Sequence, residues 1–301
     1  MLKISNLSKT YVKTKHEALK DINLHITKGE FTALLGQNGA GKTSLINILG
    51  GNVKKTHGEV EIGGYDLERN ELETKKMIGI VPQEISYDFA FTVDEILKKQ
   101  SGYFGLKNNN EYIDSLLESL GLKDKKKAYG RELSGGMKRR LLIVKALVHK
   151  PQILILDEPT AGVDIELRQT MYEFLQSLHK NGMTIVLTTH YIEEAEKLCK
   201  RVIVIKDGAI IADEPKDKLL KDFSNEIEVE ILFDSKLNIT DFDFLREYSP
   251  KIKEESNVVL KIFKNDLTKV LEMIMAKEMN FIDLNIKKQK LEDVYLHLIR
   301  R

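Results

Sequence analysis

A chain of 301 residues, 42% hydrophobic and 31% charged, has an ordinary globular composition and room for about two domains. Its 47 basic and 46 acidic side chains leave a net charge of +1, which argues against the basic field that gathers nucleic acid or anionic lipid. One cysteine, Cys199, excludes an internal disulfide framework and fits a reducing compartment. Apolar runs such as Leu141–Val144 and Ile153–Leu156 are four residues long, against the roughly 20 that a membrane helix needs. The start, Met1–Asn6, lacks the apolar region of a secretory signal. The expectation is a soluble, cytoplasmic protein.

In chain order, short Val/Ile/Leu-rich strands are predicted at Ile22–Ile26, Phe31–Leu35, Val60–Ile62, Ile78–Val81, Ile153–Leu156, Thr184–Leu187 and Val202–Ile205. Between Thr92 and Lys150 the apolar residues Ile96, Leu97, Ile113, Leu116, Leu117 and Leu120 fall at helical spacings, a helical insertion in an α/β core. Within it Asn108–Asn110 and Lys125–Lys127 read as solvated turns, and Lys138-Arg139-Arg140 as the solvated face of a helix start. Beyond Pro215 the texture changes. Lys216–Phe223 suits a connecting helix, and Ile227, Val229 and Ile231 alternate with Glu as a half-buried strand does. Further strands are expected at Val258–Phe263 and Phe281–Ile286, with helices at Leu267–Met275 and Leu291–Ile299. The chain therefore reads as an α/β domain over 1–215, with a helical subdomain at about 92–150, and a small α/β domain over 216–301.

Gly36-Gln37-Asn38-Gly39-Ala40-Gly41-Lys42-Thr43 fills every fixed position of G-x-x-x-x-G-K-[ST], between the strand Phe31–Leu35 and the helix-compatible run Ser44–Leu49. Glycines let backbone N–H groups curl around phosphates, and the helix N-terminus adds positive dipole. Lys42 supplies a cation for the β- and γ-phosphates, and the Thr43 hydroxyl is placed to ligate Mg²⁺. Ile153–Leu156 runs into Asp157-Glu158, so a buried strand ends in two carboxylates: Asp157 for the magnesium shell, Glu158 for the attacking water. Leu133-Ser134-Gly135-Gly136-Met137 opens the run Lys138–Val148, a second helix N-terminus with free N–H donors. One triphosphate reaches two such cradles only between two bodies, so the pattern suggests a nucleotide shared across a dimer interface.

Over roughly residues 1–215 the chain resembles the ATP-binding cassette (ABC) ATPase family. Leu133–Met137 looks like its LSGGQ signature, Asp157-Glu158-Pro159-Thr160 its extended Walker B, and Gly36–Thr43 its Walker A. Gln83 falls where the Q-loop should lie, and Ala161-Gly162-Val163-Asp164 matches the D-loop. His190, 32 residues after Glu158, matches the switch histidine, and Tyr11, 25 residues before Gly36, the aromatic that stacks on adenine. Met137 replaces the family's Gln, and Gly162-Val163 its more frequent Ala-Leu. Gly-Gly-Met before a basic helix, Ala-Gly-Val-Asp, and the tail Leu291–Tyr295 are similar to subunits serving bacterial exporters of drugs and polysaccharides, whereas sugar-importer ATPases carry an all-β C-terminal domain.

The resemblance implies a P-loop NTPase fold and an ATPase whose cofactors are ATP and Mg²⁺. It implies catalytic Glu158, His190 and Gln83, metal ligands Thr43, Gln83 and Asp157, and nucleotide contacts from Tyr11, residues 36–44 through Ser44, and Ser134, Gly135, Gly136 and Asp164. Its partners would be a membrane-spanning permease and a second copy of the ATPase, with the chain held on the inner face of the membrane through the permease and no nucleic acid bound. A non-transport ABC protein of DNA repair would need a long coiled coil, but only about 90 residues separate Lys42 from Arg131, and ribosome-acting members carry two cassettes per chain. A P-loop kinase explains neither the signature nor His190. Tyr87, Phe89 and Phe91, at every second position after Gln83, suit either a groove for a permease coupling helix or a face packed into the core.

Overall fold

The computed structural model describes residues 1–161, 163–222, 226–287 and 290–300, and the chain divides into two units, Met1–Glu214 and Pro215–Arg301. Unit 1 runs β1 (Leu2–Tyr11), β2 (His16–Ile26), β3 (Phe31–Leu35), α1 (Lys42–Leu49), β4 (His57–Ile62), β5 (Tyr65–Asp66), α2 (Glu71–Met77) and β6 (Ile78–Val81). Three helices follow, α3 (Val93–Tyr103), α4 (Asn110–Ser119) and α5 (Gly135–Leu147). The chain then returns through β7 (Ile153–Asp157), α6 (Ile165–Lys180), β8 (Thr184–Thr189), α7 (Ile192–Leu198), β9 (Arg201–Lys206) and β10 (Ala209–Pro215).

Among the described residues these strands form two sheets, β2-β1-β4-β5 and β10-β9-β3-β8-β7-β6. In the second, β9, β3, β8, β7 and β6 pair in parallel. Strands β3 and β7 are buried at every residue, as strands covered on both faces must be, and this is why they read as mostly apolar runs, broken by the buried Thr32 and ended by Asp157. The register puts Leu35 opposite Thr189, Asp157 opposite Thr188 and Val81 opposite Leu156. The segments that leave β3, β6, β7 and β8 therefore emerge together at the carboxyl edge of the sheet, where ligands of open α/β sheets bind.

Strand β1, strand β10 and helix α2 had no counterpart in the sequence reading. In β1, Leu2, Ile4 and Leu7 are buried, but a change of register between Ile4 and Leu7 breaks the alternation that would have announced a strand. Two expectations for the helical segment are corrected. Asn109 is no solvated turn residue: its Nδ2 donates to Ser101 Oγ and to the Val148 carbonyl, both at 2.7 Å. Arg139 and Arg140 are buried, not solvated. Three successive helical residues span about 200° of the helix circumference, so one face of the run had to turn inward.

Unit 2 has its own apolar core. It comprises α8 (Lys216–Asp222), β11 (Glu226–Phe233), β12 (Lys251–Glu254), β13 (Asn257–Phe263), α9 (Leu267–Met275), β14 (Phe281–Lys287) and α10 (Leu291–Arg300), with an antiparallel sheet ordered β12-β13-β11-β14. Phe223, the last residue of the expected connecting helix, lies outside the described residues. On β11, Ile227, Val229, Ile231 and Phe233 are buried against Phe242, Val270 and Ile274. The alternating Glu228 and Glu230 pair instead with Lys287 and Lys253 at 2.8 and 3.2 Å. The period of two is thus a core face set against a charged face.

Candidate nucleotide site

Between β3 and α1 the chain makes a tight loop whose glycines are required. Gly41 sits at φ +111°, and a Cβ there would lie 2.6 Å from the Ala18 carbonyl oxygen. A Cβ on Gly36 would lie 2.6 Å from the Ile205 carbonyl oxygen. Ala40 N–H donates to the Gln37 carbonyl and closes the turn. Helix α1 begins at Lys42, two residues earlier than its apolar pattern suggested, with Gly41 supplying no side-chain cap and no acidic residue in the first turn. Its leading N–H groups therefore face outward with the positive end of the helix dipole, the arrangement that binds phosphate.

Lys42 is buried, and its Nζ donates to the Gly36 and Gln37 carbonyls at 2.6 and 3.1 Å. Burial pushes its ammonium pKa down, opposed by the charges of Glu158 and Asp157. Two acceptors leave the third donor of the ammonium for an anion. Asp157, the last residue of β7, is held by the Thr188 hydroxyl, and burial pushes its carboxyl up. Glu158 follows in a left-handed backbone conformation, φ +48°, uncommon for a residue with a side chain. Its N–H donates to the Thr188 carbonyl at 3.0 Å. One carboxylate oxygen, Oε2, accepts from Gln83 Nε2 at 3.1 Å and lies 3.1 Å from His190 Nδ1. Glu158 is buried while His190 is 47% exposed and Gln83 is exposed as well, so both reach the buried carboxylate from the solvent side.

Tyr11, Asn38, Gly39, Gly41, Lys42, Thr43, Ser44, Gln83, Asp157 and Glu158 line one cavity of about 340 Å³, with His16 and Ala18 on its wall. The Tyr11 hydroxyl is 3.2 Å from Ser44 Oγ, which fixes the ring beside the loop. Ser134, Gly135, Gly136 and Asp164 do not line this cavity. Ser134 is exposed and caps α5 by accepting from Met137 N–H at 3.3 Å, and Asp164 caps α6 by accepting from Leu167 N–H at 2.9 Å. Gly162 of the D-loop match lies outside the described residues.

A second cavity of about 340 Å³ shares the Pro82–Ser86 segment and is lined by Gly50, Lys75, Lys145 and His149 among others. Tyr87, Phe89 and Phe91 do not line it. Tyr87 packs against Gly130 and Phe89, and Lys138 and Lys99 lie over the Phe89 and Phe91 rings at 5.0 and 3.8 Å. Sequence reasoning missed Thr188, although two threonines ending an apolar strand were a visible signal, and it missed Arg139.

Residues 19–161 match the family model described as ABC transporter. The chain is 32% identical over 310 residues to the linearmycin resistance ATP-binding protein LnrL of Bacillus subtilis (strain 168), across 100% of this chain and 99% of that one. It is 43% identical over 194 residues to the Nod factor export ATP-binding protein I of Burkholderia thailandensis, across 64% of each chain. A solved ATP-binding cassette, dimeric and in a post-hydrolysis state with ADP and Pi, superposes with a TM-score of 0.66 at 29% identity, over 71% of this chain and 98% of that one. The chain belongs to the ABC transporter family as an ATP-binding and ATP-hydrolysing subunit, on the branch that holds these resistance and export proteins.

Proposed function

We propose that this subunit powers export through a separate membrane-spanning permease, working as one of two identical copies closed head to tail around two ATP molecules on the inner face of the membrane. The observation that carries the reading is the split between the two glycine-rich loops. Asn38, Gly39 and residues 41–44 share a cavity with Gln83, Asp157 and Glu158, while Ser134–Gly136 belong to no part of it. A site that is half built in one chain is completed by the partner subunit's Ser134 and Gly136 at the γ-phosphate, with Asp164 at the seam. Among the described residues no helix is long and apolar enough to cross a membrane, in keeping with a permease supplied separately. The cavity beside Pro82–Ser86 would seat a cytoplasmic helix of the permease, next to the segment that carries Gln83.

Within each site the Tyr11 ring would hold adenine, and the loop amides with Lys42 the phosphates. Thr43, Gln83 and Asp157 offer hydroxyl, amide and carboxylate oxygens, the hard donors that Mg²⁺ prefers. Gln83 Nε2 is committed to Glu158, so its amide oxygen is the atom left for a cation. When bound, the ion would neutralise charge on the phosphates and draw the rest of its shell from them and from water. Glu158, steadied at Oε2 by Gln83 and His190, would take the proton of the attacking water at Oε1.

Glu158→Gln tests this reading. It should retain ATP, hydrolyse it roughly 10²–10⁴-fold more slowly, and shift from monomer to dimer with Mg·ATP in size-exclusion chromatography. Adding Ser134→Arg should abolish the shift. A double variant that still dimerised would overturn the two-chain site. Affinity purification from membranes should recover a hydrophobic partner, and its absence would count against the permease.

A further inference from the structure

Arg139 stands on α5, five residues after Ser134, and is 4% exposed. A guanidinium has five N–H donors in one plane, and here every one finds a backbone carbonyl. Nε donates to Pro159 at 2.9 Å, Nη1 to Pro82 and Gln83 at 2.7 and 2.8 Å, and Nη2 to Asp157 at 3.0 Å and to Glu158. Among the described residues no carboxylate accepts from it, and burial lowers its pKa against the charges of Asp157 and Glu158. The cation is used to gather backbone.

The gathered backbone is that of the catalytic loop and the Gln83 loop. Three consecutive carbonyls, those of residues 157, 158 and 159, turn toward one point, where they would repel one another without a cation between them, although that of Glu158 also accepts from Ala161 N–H at 3.3 Å. Glu158 is also left-handed at φ +48° and precedes a proline, a conformation its own sequence disfavours. A strained residue of this kind persists only where its surroundings over-determine it. The hydrogen bond from Arg139 to the Glu158 carbonyl fixes the peptide on which the carboxylate is carried, and the bonds to Pro82 and Gln83 fix the segment that carries the amide steadying it.

We propose that Arg139 is a positioning residue for hydrolysis, which holds Glu158 and Gln83 in mutual register by satisfying the carbonyls of both loops from a single guanidinium. This deepens the reading above, on which it rests, by naming what sets the geometry of the carboxylate. Neither Lys, with three donors on a point charge, nor Met, with none, can serve five carbonyls.

In the purified full chain, Arg139→Lys and Arg139→Met should keep ATP affinity within about threefold of wild type and lower kcat roughly 10- to 100-fold, the cost of a misplaced catalytic group. Because Arg139 acts through Glu158, Arg139→Met should lower kcat no further in a Glu158→Gln background. If Arg139→Met does not fold, Arg139→Lys carries the same comparison. Wild-type kcat in the Arg139 variants beside a slow Glu158→Gln would overturn the proposal. So would losses that multiply in the double variant, or a loss confined to ATP affinity. Glu158→Gln hydrolysing at the wild-type rate would overturn the underlying reading, and the proposal with it.

Discussion

At the start of α1 the chain folds inward: Gly36 and Gly41 are pressed against Ile205 and Ala18, Lys42 is buried, and no side chain caps the helix. At the start of α5 the chain faces outward: Ser134 and Gly135 are exposed, Ser134 caps the helix, and the buried cations Arg139 and Arg140 come only after the first turn. Both are Gly-rich helix N-termini, and in isolation each would be called an anion cradle. What separates them is the destination of the nearest buried cation. Lys42 gives two donors to carbonyls of its own loop and keeps one. Arg139 gives all five to neighbouring loops and keeps none. An unsaturated buried cation marks a place for substrate; a saturated one marks a joint.

Breaking the inward cradle should have the largest effect. Lys42→Ala removes a charge-assisted contact to phosphate of about 1.5–3 kcal/mol, so ATP affinity should fall roughly 10- to 150-fold. Calorimetric titration of the purified chain checks it, and unchanged affinity would remove Lys42 from the site.

The outward cradle should respond differently. Ser134→Ala deletes the cap on α5 and should lower unfolding stability by about 1 kcal/mol, while ATP binding by the monomer stays as in wild type. Weakened ATP binding in the monomer would mean that the signature loop reaches its own chain's nucleotide, against the division drawn here.

The smallest effect sharpens the comparison at the joint. Tyr87 packs on Gly130 with its hydroxyl buried and without a hydrogen-bond partner among the described residues. Tyr87→Phe removes that unpaired group, so the melting temperature should hold or rise slightly. Burial pushes the Tyr87 hydroxyl up to about 12 from the ordinary value of 10.0, which keeps the folded state neutral where the unfolded chain ionises. Its contribution is therefore intact below pH 10 and is lost as pH rises toward 12, and the variant should lack this part of the alkaline loss. Identical alkaline profiles would show that Tyr87 ionises freely in the folded protein.

The local pattern of the sequence was enough for the strands β3, β7 and β8, because a strand buried on both faces is mostly apolar, with Thr the main polar residue it admits here, and for Gly36–Thr43, because few residue types satisfy that loop. The alternation of Ile227, Val229 and Ile231 likewise announced β11 and its core face. What lay beyond local pattern was decided by packing across the sheet. The register β3–β8–β7–β6 brings Gln83, Glu158 and His190, up to 107 residues apart in sequence, to a single carboxylate oxygen. Arg139 read as a surface charge because sequence shows a side chain's type and not the carbonyls around it. Only the tertiary fold turns five of them toward one guanidinium, and the desolvation of that cation is offset by hydrogen bonds which no spacing in the chain encodes.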